Sequence, residues 1–129
     1  MSSGPPVLTK LSPRSVEDTV ARFEAILGEK GVKVFAVVDH SGEAAAAGLS
    51  LRDTKVVIFG NPKGGTPVME AQPLFALDLP LKVLVWADGD QTKVTYTPPA
   101  ALAARWGGGE DVVAPLGVID ALTDALVQG

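Results

Sequence analysis

The feature that most constrains the fold of this chain is the segment LKVLVWADGDQTKVTYTPP. Two runs rich in β-branched and aromatic residues, Leu81–Ala87 and Gln91–Thr97, flank the dipeptide Asp88-Gly89. An Asp-Gly pair readily adopts the positive backbone angles that a tight hairpin turn requires. The segment therefore predicts a β-hairpin, so the sheet must be at least partly antiparallel.

Two other segments show the periodicity of amphipathic helices. SVEDTVARFEAILGEKG starts with Ser15 as a candidate N-cap, has Asp18 three residues later, and ends at Gly31. Its apolar residues recur at helical spacing and share one face: Val16, Val20, Phe23 and Leu27. The C-terminal segment EDVVAPLGVIDALTDALVQG has the apolar stripe of a helix lying on a sheet: Val112, Leu116, Ile119, Leu122 and Leu126. A smaller helical turn is expected at PAALAARW, just before it.

Three more runs predict strands. Lys33–Asp39 and Thr54–Gly60 are rich in β-branched and apolar residues, which favours inner strands covered on both faces. Pro6–Leu11 is a shorter run of the same kind and predicts the first strand. Between the two apolar runs, SGEAAAAGL is expected to form one or two helical turns that begin at Ser41 and stop at a left-handed Gly48.

The segment TPVMEAQPLFALDLP predicts a helix after a glycine-containing loop. Thr66 is expected to cap this helix and Pro67 to take its first position, whereas Pro73 must bend or break it. The order of elements, with a hairpin late in the chain, predicts one α+β domain over residues 1–129. We expect a largely antiparallel sheet with helices mainly on one face, and a flexible end at residues 1–5.

Charge and composition exclude several classes of function. Eleven basic residues stand against 15 acidic ones, and this balance argues against nucleic-acid binding, which depends on clustered Lys and Arg. The absence of cysteine excludes disulfides, thiolate catalysis and thiolate metal sites. No apolar stretch approaches the roughly 20 residues of a membrane span, and no signal peptide is visible. We therefore expect a soluble, cytoplasmic protein with no membrane partner, no metal and no cofactor.

The stretch FGNPKGGT has some features of a phosphate-binding turn, because a strand runs into glycines and then into a helix N-terminus. The Walker pattern fails, however. Gly60 is followed after four residues by Gly65 and Thr66, so Lys63 lies in the turn rather than at the position that grips phosphate. Binding of a small anion or another small ligand and a purely structural turn both remain open.

His40 is the only histidine, and it lies in the tripeptide Asp39-His40-Ser41. Adjacent residues on a strand point to opposite faces, so these three side chains cannot form a catalytic relay. A metal site is also unsupported, because no spaced set of ligands accompanies the imidazole. His40 can therefore be a structural residue, a pocket residue or an acid/base. Glu70 can face the same pocket as Lys63, or it can be an exposed helix residue.

Several linked motifs carry a family resemblance. VDH is followed by LSLRDTKVVIFGNPKGGTPVM and then by DLPLKVLVWAD, all within Val34–Tyr96. In this order they resemble the domain of unknown function 302 family, found in uncharacterised bacterial proteins. The resemblance implies a TATA-binding-protein-like α+β fold of order β-α-β(4)-α, a family-like core of about residues 7–127 and a homodimer. Ala87 stands where the family often has Glu. The resemblance implies no catalytic residue.

Two functional hypotheses follow. The first is a non-enzymatic small-ligand or interaction module that forms a homodimer, with a polar pocket drawn from six candidate residues. These candidates are His40, Asn61, Lys63, Gly65, Thr66 and Glu70. The alternative is an enzyme acting on a small anionic substrate, with His40 as acid/base and the Asn61–Thr66 loop as the anion site. The alternative requires His40 to reach the space beside Lys63. A third interpretation is purely structural: DHSGEAAAAG forms a strand end and a capped helical turn, and FGNPKGG a chain reversal.

Overall fold

The predicted hairpin forms the centre of the sheet. The computed structural model describes residues 6–129, so the flexible end expected at residues 1–5 lies outside the described residues. The strands are β1 Leu8–Ser12, β2 Lys33–Asp39, β3 Thr54–Gly60, β4 Leu81–Asp88 and β5 Gln91–Tyr96. Asp88 pairs with Gln91, so the turn is Gly89-Asp90, one residue later than expected, and Gly89 has a φ of 62°. Glycine is favoured there because the angle lies in the left-handed region.

Helices connect and cover these strands. The α-helices are α1 Val16–Glu29, α2 His40–Ala46, α3 Pro62–Ala71, α4 Pro99–Trp106, α5 Gly109–Val113 and α6 Val118–Leu126. Short 3-10 helices occupy Pro73–Leu77 and Ala114–Gly117. The expected order of β-α-β(4)-α with short helical insertions is confirmed, as is the α+β class.

The sheet is fully antiparallel, with strand order β1-β5-β4-β3-β2. β3 is an inner strand as predicted, but β2 is an edge strand, so the prediction of an inner strand at Lys33–Asp39 is wrong. Phe35 and Val37 are 47% and 37% exposed. An apolar run does not report how many neighbours a strand has, because an exposed edge and a covered centre can have the same composition.

The core lies on one face of the sheet, against α1 and α6. The buried sheet residues on this face are Val57, Phe59, Val83, Val85, Val94 and Tyr96. Their helical partners include Phe23, Leu27, Ile119, Leu122 and Leu126. The rings of Phe23 and Phe59 meet edge to face, with centroids 5.1 Å apart. The expectation of helices mainly on one face is therefore confirmed.

Polar contacts tie the first strand to the last helix. The ammonium group of Lys10 in β1 lies 2.8 Å from a carboxylate oxygen of Asp124 and donates to the Thr123 hydroxyl at 2.6 Å. The Tyr96 hydroxyl donates to Asp120 in the same helix. Burial of the Tyr96 ring, together with that hydrogen bond, raises the pKa of the phenol. This cluster holds β1, β5 and α6 together at one side of the domain.

Two helices begin earlier than predicted. α3 begins at Pro62, with Asn61 as its N-cap, so residues 62–66 are helical rather than a loop capped by Thr66. An Asn followed by Pro is a favourable start, and it precedes the Thr66 start along the chain. α2 begins at His40, with Asp39 rather than Ser41 as the cap, although Gly48 has the expected positive φ, 79°.

The C-terminal stripe forms two α-helices rather than one. Pro115 lies between α5 and α6, within the 3-10 turn, and a proline cannot donate the hydrogen bond that a continuous helix would need. Val113 is buried where Val112 was expected to be, and the four later stripe residues are buried as predicted. The break expected near Pro73 is also present, because α3 ends at Ala71 and a 3-10 helix follows.

Candidate functional groove

A groove of about 300 Å³ opens where β2 and β3 meet α3 and the start of α6. Its walls are mostly apolar and come from distant parts of the chain: Phe35, Phe59, Met69, Leu81, Leu116 and Val118. Phe35 and Val118 form part of its exposed rim, being 47% and 45% exposed. A concave, mainly apolar surface of this size suits a small ligand better than it suits water.

Glycines keep the groove open on the side of α3. A Cβ atom added to Gly65 would have only the Cε of Met69 near it, at 3.8 Å, so its methyl group would occupy groove space. A Cβ at Gly60 would instead lie 3.4 Å from the Cβ of Pro80 and 3.7 Å from the ring of Phe35. The chain can therefore turn from β3 into α3 close to the Pro80 segment.

Polar side chains in the groove wall are few. Among the residues that line it in the described part of the chain, Asn61 and Thr66 supply the hydrogen-bonding side chains, and none carries an ionisable group. Asn61 Oδ1 already accepts the backbone N–H of Lys63 at 3.0 Å. The Asn61 amide nitrogen and the Thr66 hydroxyl can fix the orientation of a ligand, but no group in this wall can transfer a proton near neutral pH.

The N-terminus of α3 does not form a preformed anion site. Pro62 has no N–H, the amide of Lys63 donates to the Asn61 side chain, and the amides of Gly64 and Gly65 both donate to the Asn61 carbonyl at 2.9 Å. Anions bind helix N-termini through amides that lack an intrahelical partner. Because the first turn is helical and capped, the anion site expected from the Asn61–Thr66 loop is not formed as a loop with free amides.

His40 lies at the other end of the sheet from this groove. Lys33 pairs with Gly60 at one end of the β2–β3 ladder, and Asp39 pairs with Lys55 at the other end. Lys33 and Asp39 are six residue steps apart along β2, which is roughly 20 Å at the usual rise per residue. His40 follows Asp39 and is exposed, so the structure does not bring its imidazole near the residues that follow Gly60.

The neighbours of His40 have structural roles. Asp39 caps α2 by accepting the Gly42 amide and the Ser41 hydroxyl, each at 2.9 Å. These hydrogen bonds, the backbone one first, lower the pKa of Asp39. The Ser41 hydroxyl also accepts the amide of Thr54 at 3.1 Å, which joins α2 to the start of β3. The DHS tripeptide thus forms a strand-to-helix joint.

The structure therefore does not bring the six predicted site residues together in one pocket. Asn61, Gly65 and Thr66 line the groove, whereas His40, Lys63 and Glu70 do not. Lys63 and Glu70 are on α3 but are exposed to solvent. The shared polar pocket that was expected from all six is replaced by an apolar groove with two polar side chains at its wall.

Asp78 has a structural role that the sequence analysis did not identify. Asp78 does end the 3-10 helix, but its Oδ2 also accepts the indole N–H of Trp106 at 2.6 Å and a guanidinium N–H of Arg105 at 2.7 Å. Partial burial raises the pKa of Asp78, but these two donors outweigh that effect and the pKa is lowered. The residue therefore anchors α4 to the segment before β4, and no local pattern indicated this contact.

Residues 6–129 contain neither a cluster of metal-ligating side chains nor a helix that could span a membrane. Within residues 6–129, no three His, Asp or Glu side chains cluster so that they could hold a metal ion. Over the same residues, no helix has the length and apolar character needed to cross a bilayer.

Comparison with known proteins gives a family, a fold and partial relatives. The family model described as Domain of unknown function DUF302 matches residues 8–127. The crystal structure of an uncharacterized conserved protein DUF302 from Bacillus stearothermophilus has a similar fold, with a TM-score of 0.82 at 18% identity over 96% of this chain and 97% of that one.

Two curated relatives are named fluoride-specific ion channel FluC 1. The proteins from Brucella suis and Brucella abortus are each 41% identical to this chain over 100 residues, which is 77% of this chain. The match covers 39% and 37% of those two proteins, respectively, so the chain corresponds to well under half of their length.

Proposed function

This chain belongs to the DUF302 family, and from its groove we propose that it is a non-enzymatic module that binds a small, uncharged and largely apolar molecule. One observation carries the proposal: the groove has an apolar wall with two neutral polar side chains, Asn61 and Thr66, and no ionisable side chain among its described lining residues. Apolar area would supply most of the binding free energy, and the two polar groups would select orientation.

The same wall disfavours an enzyme that acts on a small anion. Such an enzyme needs an acid or base beside the substrate and donors for its charge, and a side chain must lie within hydrogen-bond reach to act. His40 lies beyond the far end of the β2–β3 ladder, and the first amides of α3 already have acceptors. Fluoride, the ion named for the curated relatives, would meet no cationic side chain among the described lining residues of this groove and no free amide in the first turn of α3.

Binding can be tested with Nile red, an uncharged apolar dye whose emission increases in an apolar site. We expect the wild type to bind the dye and Gly65→Phe to lose binding, because the new ring enters the groove beside Met69. Gly28→Phe is the matched control, since a Cβ at this exposed helical glycine has nothing within 4 Å. The far-ultraviolet circular dichroism of both variants must remain that of the wild type.

Equal loss of dye binding in the two variants, or equal retention, would contradict the assignment of the groove. A thermal-shift screen of uncharged metabolites, with sodium fluoride and inorganic phosphate included, then identifies the ligand class. A ligand that prefers the folded state raises the midpoint by mass action. Stabilisation by the anions alone, lost in Gly65→Phe, would overturn the uncharged class.

The proposal also includes a homodimer located in the cytoplasm. Exposed apolar residues at the sheet edge, Phe35 and Val37, support self-association, because isolated β-edges with apolar side chains tend to pair with other chains. Sedimentation equilibrium at micromolar concentration is expected to give twice the chain mass of 13.3 kDa. A monomer at these concentrations would remove this part of the proposal and leave the groove unaffected.

A further inference from the structure

The two edges of the sheet differ in character. β1, with the sequence LTKLS, carries Lys10 at its middle, and a charge in that position discourages pairing with another strand. β2 has the sequence KVFAVVD, so five apolar residues lie between a basic residue and an acidic one. Apart from one register shift between Val34 and Ala36, β2 lacks the features that usually protect an edge.

The sequence of β2 is complementary to itself when it is reversed. In an antiparallel pair centred on Ala36, Lys33 of one copy lies opposite Asp39 of the second, and Phe35 lies opposite Val37. We propose that β2 pairs with β2 of a second copy in this register, so that the two sheets join into one. This inference rests on the homodimer of the proposed function and identifies its surface.

Charge complementarity supports the register. The Lys33 ammonium group lies 5.0 Å from the centroid of its own Phe35 ring, at the strand end where Asp39 of the second copy would be. Asp39 already has Lys55 opposite it on β3 and would gain a second cation from the neighbouring copy. The register shift between Val34 and Ala36 places Lys33 and Asp39 on opposite faces of β2, so the two charges would attract across the shared edge rather than as a pair on one face. A parallel alignment would place like charges together.

The exposed apolar side chains are also complementary. Val37 pairs with Val57, whose side chain is in the core, and Phe35 lines the groove together with Phe59, so both lie on the helix-bearing face. A two-fold axis perpendicular to the joined sheet keeps the helix-bearing faces of the two copies on the same side. Val37 of the second copy would therefore cover Phe35 at the groove rim and complete the wall of the ligand site.

Cysteine cross-linking tests the register directly, because the natural chain contains no cysteine. Ala36 lies on the proposed two-fold axis, where facing Cβ atoms are about 4.5–5.5 Å apart, close to the separation that a disulfide spans. Ala36→Cys should form a covalent dimer under mild oxidation with copper phenanthroline. Leu11→Cys is the control at the opposite edge, where Leu11 is 55% exposed, and it should remain monomeric on a denaturing gel.

A second variant separates this inference from the homodimer itself. Val37→Glu places two carboxylates near the axis and should convert the dimer to a monomer in sedimentation, with unchanged circular dichroism. A dimeric wild type whose Val37→Glu variant stays dimeric and whose Ala36→Cys variant does not cross-link would overturn the β2 surface but keep the homodimer. A monomeric wild type that also fails to cross-link through Ala36→Cys would overturn both.

Discussion

The substitution Gly65→Ala should make the protein more stable and weaken its ligand binding. Gly65 is inside α3, and replacing a helical glycine by alanine stabilises a protein by about 0.5–1 kcal/mol when the methyl group fits. It does fit, because the nearest atom to the new Cβ would be the flexible Cε of Met69, at 3.8 Å. For a chain of this size the gain corresponds to a rise in Tm of roughly 2–5 °C.

The opposite sign is expected for the same change at Gly48. There φ is 79°, a conformation that costs a residue with a Cβ about 1–2 kcal/mol, so Gly48→Ala should lower the unfolding free energy. Urea denaturation of both variants, followed by circular dichroism, gives the two differences directly. Destabilisation by Gly65→Ala, or Nile red affinity equal to or above that of the wild type, would refute the view that this glycine is kept for the groove.

Three further predictions concern residues outside the groove. His40→Ala should change the unfolding free energy by less than about 0.5 kcal/mol and leave dye binding unchanged, because the exposed imidazole lies far from the groove; a loss of binding would show that it contributes. Ser15→Ala removes the hydroxyl that caps α1 and should cost about 1 kcal/mol in urea denaturation, whereas an unchanged midpoint would contradict the cap. Asp78→Asn should cost about 1–3 kcal/mol at pH 7 through weaker bonds to Trp106 and Arg105. The folded pKa of Asp78 is lowered, so the carboxylate contributes to the free energy of unfolding above the unfolded pKa near 3.9, and this contribution is lost as the pH falls through the folded pKa. The unfolding free energies of the variant and the wild type should therefore converge below pH 4. A difference that stays constant with pH would refute this linkage.

The parts of the fold that the sequence predicted correctly depend on neighbours in sequence. The β4–β5 hairpin needs one turn and two flanking runs, and α1 needs a cap at Ser15 and a repeating apolar face. Such signals lie within one short segment, so local physics is sufficient to read them. The motifs of the family resemblance lie within Val34–Tyr96 and so include the hairpin but not α1, and the order of elements that the resemblance implied agrees with the observed order.

The parts that could not be predicted depend on distant contacts or on a choice between equal local signals. Asn61-Pro62 and Thr66-Pro67 are both good helix starts, and only the structure shows that the first one is used. The groove combines Phe35, Met69 and Val118 from three separate elements, so no short pattern could indicate its apolar character. The position of β2 at the edge of the sheet could not be predicted either, because it depends on how distant strands pair.

The ion pair between Lys10 and Asp124 has a consequence for how this domain can be built into larger chains. β1 and α6 lie side by side and run in the same direction, because Tyr96, which pairs with Leu8, contacts Asp120, whereas Arg14 donates to the carbonyls of Leu126 and Gln128. The chain therefore enters at one end of β1 and leaves beside the other end, so a host protein that receives the domain as an insert must span the length of β1 between its two junction points.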